Sequence, residues 1–179
     1  MPPAVTQPLV RSVMPAVFLM LLAALGAGAI TRPGDASASP TLGRARITTQ
    51  ERDEVARINR FRRGHGRAPL VIDPQLDVAA NWMGRDMAAK DYFSHTDSCG
   101  RDPFMRMKVV AHYRDSGWRG ENLASGHGDF ESTFQQWKHS PEHRQILLNP
   151  RFRVIGIAET YNADSTYGWY WTADFGQNM

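Results

Sequence analysis

Apolar residues are arranged in three ways along this chain. Positions 13–30 form one uncharged run rich in Leu and Ala. From Thr48 to about Leu148, apolar residues recur at helical spacing, interrupted by Gly and by Asp-Pro or Ser-Pro pairs. Thr48 or Thr49 can cap a first helix, with Glu51 and Asp53 in its acidic first turn and Val55, Ile58 and Phe61 on one face; Gly64-His65-Gly66 ends it. Positions 69–72 predict a short extended bridge. Asp73 can accept a hydrogen bond from an orphan helical N–H, and Pro74 loses nothing at a first helical position, so a second helix opens there. Leu76, Ala80, Met83 and Met87 follow at helical spacing; Met and Trp82 at this period are core residues, not a cofactor box. Asp102-Pro103 repeats the device for a shorter helix over 104–111. The glycine-punctuated segment 117–124 predicts a loop leading into a turn or short helix. Asp129 caps a helix carrying Phe130, Phe134 and Trp137, and Ser140-Pro141 caps another that runs to Leu148 before Asn149-Pro150.

The period then changes. Positions 153–161 predict a strand, 162–165 a turn, and 167–175 a second strand. In the second strand Trp169, Trp171, Ala173 and Phe175 alternate with Tyr170, Thr172 and Asp174. Helices followed by a hairpin predict an α+β domain with helices packed on a small antiparallel sheet.

The N-terminal run changes the picture of where this domain works. Arg11 precedes it and the small-x-small triplet Ala36-Ser37-Ala38 follows, the order of a secretory signal peptide. The expected organisation is a signal over 1–38 cut after Ala38, a linker over 39–48, and one domain over 49–179. The alternative is a retained anchor, since eighteen uncharged residues approach the length that spans a bilayer; Pro15 and the Gly/Ala-rich end weigh against it. Either way the domain is expected outside the cell, secreted or held at the membrane. Net charge is +3, and removing 1–38 takes away Arg11, Arg32 and Asp35 to leave about +2. No run of Lys and Arg with interleaved aromatics is present, so nucleic acid is not an expected partner. Cys99 is the single cysteine, so no internal disulfide can form and the domain, expected to be a monomer, stands on its packing.

Candidate chemistry rests on histidines. His65, His112 and His127 sit in polar or Gly-flanked contexts and are expected to be solvated. His139-Ser140-Pro141-Glu142-His143 matches H-x-x-E-H, an inverted zinc-peptidase pattern. That chemistry needs both imidazoles on one helix, four residues apart. If Pro141 is the first helical residue, His139 lies outside the helix and the spacing loses its meaning. No G-x-S-x-G is present and Ser94-His95 is no nucleophile elbow, so no catalytic residue is assigned.

Four separated segments together resemble the CAP superfamily (cysteine-rich secretory proteins, antigen 5 and pathogenesis-related proteins; the SCP domain) in its compact bacterial form. They are Phe93-Ser94-His95-Thr96, Gly120-Glu121-Asn122-Leu123-Ala124, Trp137 through Arg144 with Asn149-Pro150 behind it, and Tyr170-Trp171-Thr172-Ala173-Asp174-Phe175-Gly176. The resemblance implies an α-β-α sandwich whose cleft holds two His and usually two acidic residues. Carried over by motif, His95 and His143 are the imidazoles and Glu121 one carboxylate. Ser140 stands where the second carboxylate belongs, so the tetrad is incomplete. Such a site could bind Zn²⁺ or another divalent metal through His95, His143 and Glu121, with Glu121 either ligating or orienting a His ring. The same three residues could instead only brace loop against helix. The implied function is an extracellular binding module for a lipid or sterol or a protein; the alternative is a metal-assisted hydrolase of peptides or cell-wall material.

Overall fold

The computed structural model describes residues 47–114 and 117–177. The export signal, its cut after Ala38 and most of the expected linker lie outside them. Among the described residues no helix is long and apolar enough to cross a membrane.

Four helices begin where a side chain takes up orphan N–H groups. Thr48 and Glu51 form a reciprocal capping box at the start of α1 (Thr49–Gly64). Asp73 accepts from Gln75 and Leu76 at α2 (Pro74–Lys90), Asp102 from Met105 at α3 (Pro103–Val109), and Asp129 from Ser132 at α4 (Phe130–His139). The fifth, α5 (Pro141–Leu147), departs from the expectation. Ser140 occupies its cap position, but its side chain makes no capping bond; the hydroxyl is turned to other partners described below.

The strands β1 (Val71–Ile72), β2 (Arg119–Ser125), β3 (Val154–Tyr161) and β4 (Trp169–Gly176) form one sheet in the order β1-β3-β4-β2. The expected hairpin is β3–β4. The extended bridge joins it as β1, parallel to β3, so the sheet is mixed. The segment expected to be a loop with a turn or short helix is instead edge strand β2, paired antiparallel with β4 from Arg119↔Gly176 to Ser125↔Tyr170. Gly and Asn disfavour strands, but β4 offers a free edge whose backbone groups need partners, and that pairing outweighs local propensity. Gly120 is required there by close approach, because a Cβ would lie 2.9 Å from the Phe152 ring.

Two helical layers cover the sheet. On one face α1, α4 and α5 supply Val55, Ile58, Phe134, Trp137 and Leu147, packed against Ile155, Ile157, Trp171, Ala173 and Phe175. On the other face α2 and α3 supply Leu76, Ala79, Met83, Met87 and Met107, against Val154, Leu123 and Tyr170. This is the α-β-α sandwich within the α+β class. Central strand β4 is therefore buried on both faces, and its polar positions Thr172 and Asp174 are as enclosed as its aromatic ones.

Layering also buries acids that titrate. Asp77, in the first turn of α2, is 2% exposed with Oδ1 lacking a hydrogen bond, and burial lifts its carboxyl from 3.8 to about 7. Burial raises Glu54 likewise, to about 7. Each folded-state value exceeds the unfolded one, so the folded state holds its proton to higher pH. Their contribution is complete below about pH 4 and is lost as pH rises through about 7. The domain is therefore expected to unfold at lower urea concentration at pH 8 than at pH 5. Asp77→Asn should recover on the order of 2–4 kcal/mol at pH 8 and less than about half of that at pH 5; equal effects at both pH values would show that Asp77 is ionised in the folded state throughout.

Candidate functional site

Register builds the site. Glu121 on β2 stands opposite Asp174 on β4, and both point to the face covered by α2 and α3. Helix α3 sends Arg106 inward to meet them. Its guanidinium ion-pairs through Nη2 with Glu121 Oε2 and donates from Nη1 to the His95 carbonyl at 3.3 Å. Arg106 and Asp174 are wholly buried, and the Glu121 side chain is 1% exposed. The other Glu121 oxygen, Oε1, lies 2.7 Å from His95 Nδ1.

His95 belongs to the loop after α2, which is tied down at Asp86. That carboxylate accepts from Lys90 Nζ at 2.7 Å, Tyr92 Oη at 2.5 Å, Ser98 N at 2.9 Å and Ser98 Oγ at 2.8 Å. Burial acts to raise Asp86, but the four donors outweigh it and hold the carboxyl at about 2. Asp97 pins the next turn through the N–H groups of Cys99 and Arg101 and through the Arg101 guanidinium. Cys99 itself is exposed on this loop.

Two carboxyls and one cation in a buried space leave a proton to be shared. Desolvation raises both Glu121 and Asp174, and Arg106 pulls each back. As a carboxylate, neither Asp174 oxygen has a donor. As a carboxylic acid it donates to Glu121, an arrangement that raises Asp174 and lowers Glu121. The proton therefore rests on Asp174, and Glu121 carries the charge that balances Arg106.

The second imidazole belongs to α5, whose backbone is held from the other face of β2, and it lies near enough to His95 to feel its charge. Asn122 points opposite to its neighbour Glu121, and its Nδ2 donates to the His143 carbonyl at 3.1 Å. His143 Nδ1 lies 2.8 Å from Ser140 Oγ, and that hydroxyl donates to Glu142 Oε2 at 3.1 Å. With the hydroxyl proton so committed, Ser140 accepts from His143 Nδ1–H. His95 likewise gives its Nδ1–H to Glu121. Each ring is thus fixed as the tautomer whose Nε2 carries a bare lone pair. Partial burial lowers both histidines, helped by Arg106 at His95 and by His95 at His143. Near neutral pH the cleft offers two uncharged imidazoles.

The structure joins the residues expected from sequence in two pairs, His95 with Glu121 and His143 with Ser140. H-x-x-E-H is split between helices: His139 ends α4 with Nδ1 against the Gln135 carbonyl, and Pro141 begins α5. Among the described residues no group of three or more His, Cys, Asp or Glu is arranged to hold a metal ion. Three contributors went unforeseen. Asn122 and Asp174 lay within the recognised segments, but their partners emerge only from strand register. Arg106, in a seven-residue helix, carried no signal of its own.

The family described as "CAP: Cysteine-rich secretory protein family" matches residues 55–175, a span that contains every residue of the cleft. The uncharacterized protein YkwD of Bacillus subtilis is 32% identical over 130 residues, which cover 72% of this chain and 48% of that protein. This chain thus spans about half the length of that relative. Among solved structures, an extracellular protein containing an SCP domain from Bacillus anthracis is 25% identical with a TM-score of 0.60, over 75% of this chain and 45% of that one. An outer surface protein of Borrelia burgdorferi shares the fold at 24% identity and a TM-score of 0.63, over 74% of this chain and 97% of that one. With the family matched across well over half its length and its cleft built from the matched segments, the chain belongs to the cysteine-rich secretory protein (CAP) family.

Proposed function

We propose that this chain works outside the cell as a non-enzymatic binding module for a lipid or sterol or a protein, and that His95 and His143 together hold a divalent ion such as Zn²⁺ at its cleft. Export is supported by the N-terminal signal pattern and by relatives described as extracellular or outer-surface proteins. One observation carries the non-enzymatic reading. Glu121, the carboxylate a hydrolase would need as its base, has both oxygens engaged by His95 and Arg106 and its side chain is 1% exposed. To activate a water it would have to let go of His95, the ring it orients, or release Arg106 into a buried space. It is placed instead to orient His95 from behind, as groups behind metal-bound imidazoles do. Two bare Nε2 atoms suit Zn²⁺, which would supply a Lewis acid at the cleft when bound. Ser140, where a further carboxylate would complete the set, is committed to His143 and Glu142.

Calorimetric titration of Zn²⁺ into metal-stripped protein tests this. One site weaker than about 10 μM is expected, because only two protein ligands contribute. The heat should vanish in His95→Ala and His143→Ala, survive in His139→Ala, and correspond to at least about tenfold tighter binding in Ser140→Asp, which adds a carboxylate beside the pair. No heat in either the wild type or Ser140→Asp would remove metal from the reading. Turnover of a peptide or cell-wall fragment that Glu121→Gln abolishes would replace the binding module with the hydrolase.

A further inference from the structure

Helix α3 is apolar on the wrong side. It sends Arg106 into the site and Met107 into the core, while Phe104, Met105 and Val109 face outward at 43, 53 and 47% exposure. At 100° per residue these three and Lys108 fall on one arc of the helix. Large apolar side chains on one outward face mark a contact surface, whereas single exposed ones do not. Basic groups border the patch. Arg119 lies over the Phe104 ring with its guanidinium carbon 5.0 Å from the centroid, and Nη1 donates to the Phe104 carbonyl. The residue before it, Trp118, is 52% exposed and has Arg151 over its ring at 4.2 Å. Lys108 and Arg119 are thus the cations among the three apolar side chains of α3, and the Trp118–Arg151 pair stands at the neighbouring position of the chain. The acid at this end of α3, Asp102, is committed to capping through the Met105 N–H.

We propose that the outer face of α3, together with Arg119, is a contact surface for an anionic phospholipid bilayer. Apolar and aromatic side chains that enter the headgroup boundary, ringed by Lys and Arg able to reach phosphates, are what such a surface recognises. The charge favours lipid over a second copy of this face, since two copies would bring the same cations together. The surface is separate from the imidazole cleft, which lies behind the inner side of α3, and does not depend on what the cleft binds.

Cosedimentation of the full chain with vesicles tests the assignment. One set is phosphatidylcholine alone and the other phosphatidylcholine mixed with phosphatidylglycerol; the apolar run 13–30 is common to every variant. The wild type is expected to prefer the mixed vesicles, by about fivefold per cation at low salt, and to lose that preference as salt is raised. Lys108→Gln/Arg119→Gln should bind both vesicle types equally. Phe104→Ser/Met105→Ser/Val109→Ser should bind both at least about tenfold more weakly, with Zn²⁺ titration unchanged. All sites are on the surface, and a matching thermal melt confirms that each variant is folded. Identical partitioning of all three proteins would overturn the proposal, as would a wild-type dimer in light scattering that the serine variant abolishes.

Discussion

Gly156→Ala is expected to cost the domain more than about 4 kcal/mol of stability. Gly156 lies on β3 beneath the first turn of α2, and a Cβ there would stand 2.1 Å from the Asp77 nitrogen, 2.1 Å from the Leu76 carbonyl carbon and 2.4 Å from its oxygen. These are backbone atoms and cannot swing aside as a side-chain tip does. The helix would have to lift, drawing Leu76, Ala79 and Met83 out of contact with the sheet. Ordinary overpacking costs about 1–3 kcal/mol; displacing a helix start should exceed about 4 kcal/mol, a large part of a typical domain's 5–15 kcal/mol. Gly84→Ala is the internal comparison. Its Cβ meets the Thr160 hydroxyl at 2.5 Å, a side chain that can rotate, so a loss nearer 1–2 kcal/mol is expected. Urea unfolding of both variants decides; a Gly156→Ala loss no larger than that of Gly84→Ala would mean that α2 rides loosely on the sheet.

Arg106→Ala should be nearly as damaging, for an electrostatic reason. It strips the cation from a space that holds Glu121 and Asp174 and leaves a buried charge without compensation, a loss of about 3–5 kcal/mol. Deleting the charge as well should recover part of this, so Arg106→Ala/Glu121→Gln is expected to be more stable than Arg106→Ala alone. That reversal separates charge balance from packing: a double variant whose loss is the sum of the two single losses would show that Arg106 acts by volume alone. Because Arg106 also holds the His95 carbonyl, nitrogen shifts of the His95 ring should show it leaving its single tautomer in Arg106→Ala, while His139 is unaffected.

The helices were legible because each start is written locally. Thr48, Asp73, Asp102 and Asp129 each sit beside the N–H groups they satisfy, and proline at the following position marks two of the starts. His95, Glu121 and His143 were legible through the segments that resemble a known family. Long-range pairing hid the rest. Strand β2 contains Gly120 and Asn122, which argue locally for a loop, and becomes a strand because β4 has an edge to fill. Alternation along β4 suggested one apolar and one polar face. It could not reveal that a second helical layer encloses Thr172 and Asp174, turning Asp174 from a surface acid into a proton store beside Glu121. Arg106 was hidden by inversion, since α3 buries its arginine and exposes its phenylalanine.

The cleft hangs on two consecutive residues of one strand. Glu121 positions one imidazole from one side of β2, and Asn122 steadies the backbone of the other from the opposite side. A slip of β2 by a single residue against β4 would turn both side chains to the wrong layers at once. The cleft can therefore be complete or absent, but not half made. A ligand needing both rings would ignore any chain in which β2 has yet to close against β4, so its binding would serve as a certificate of finished folding.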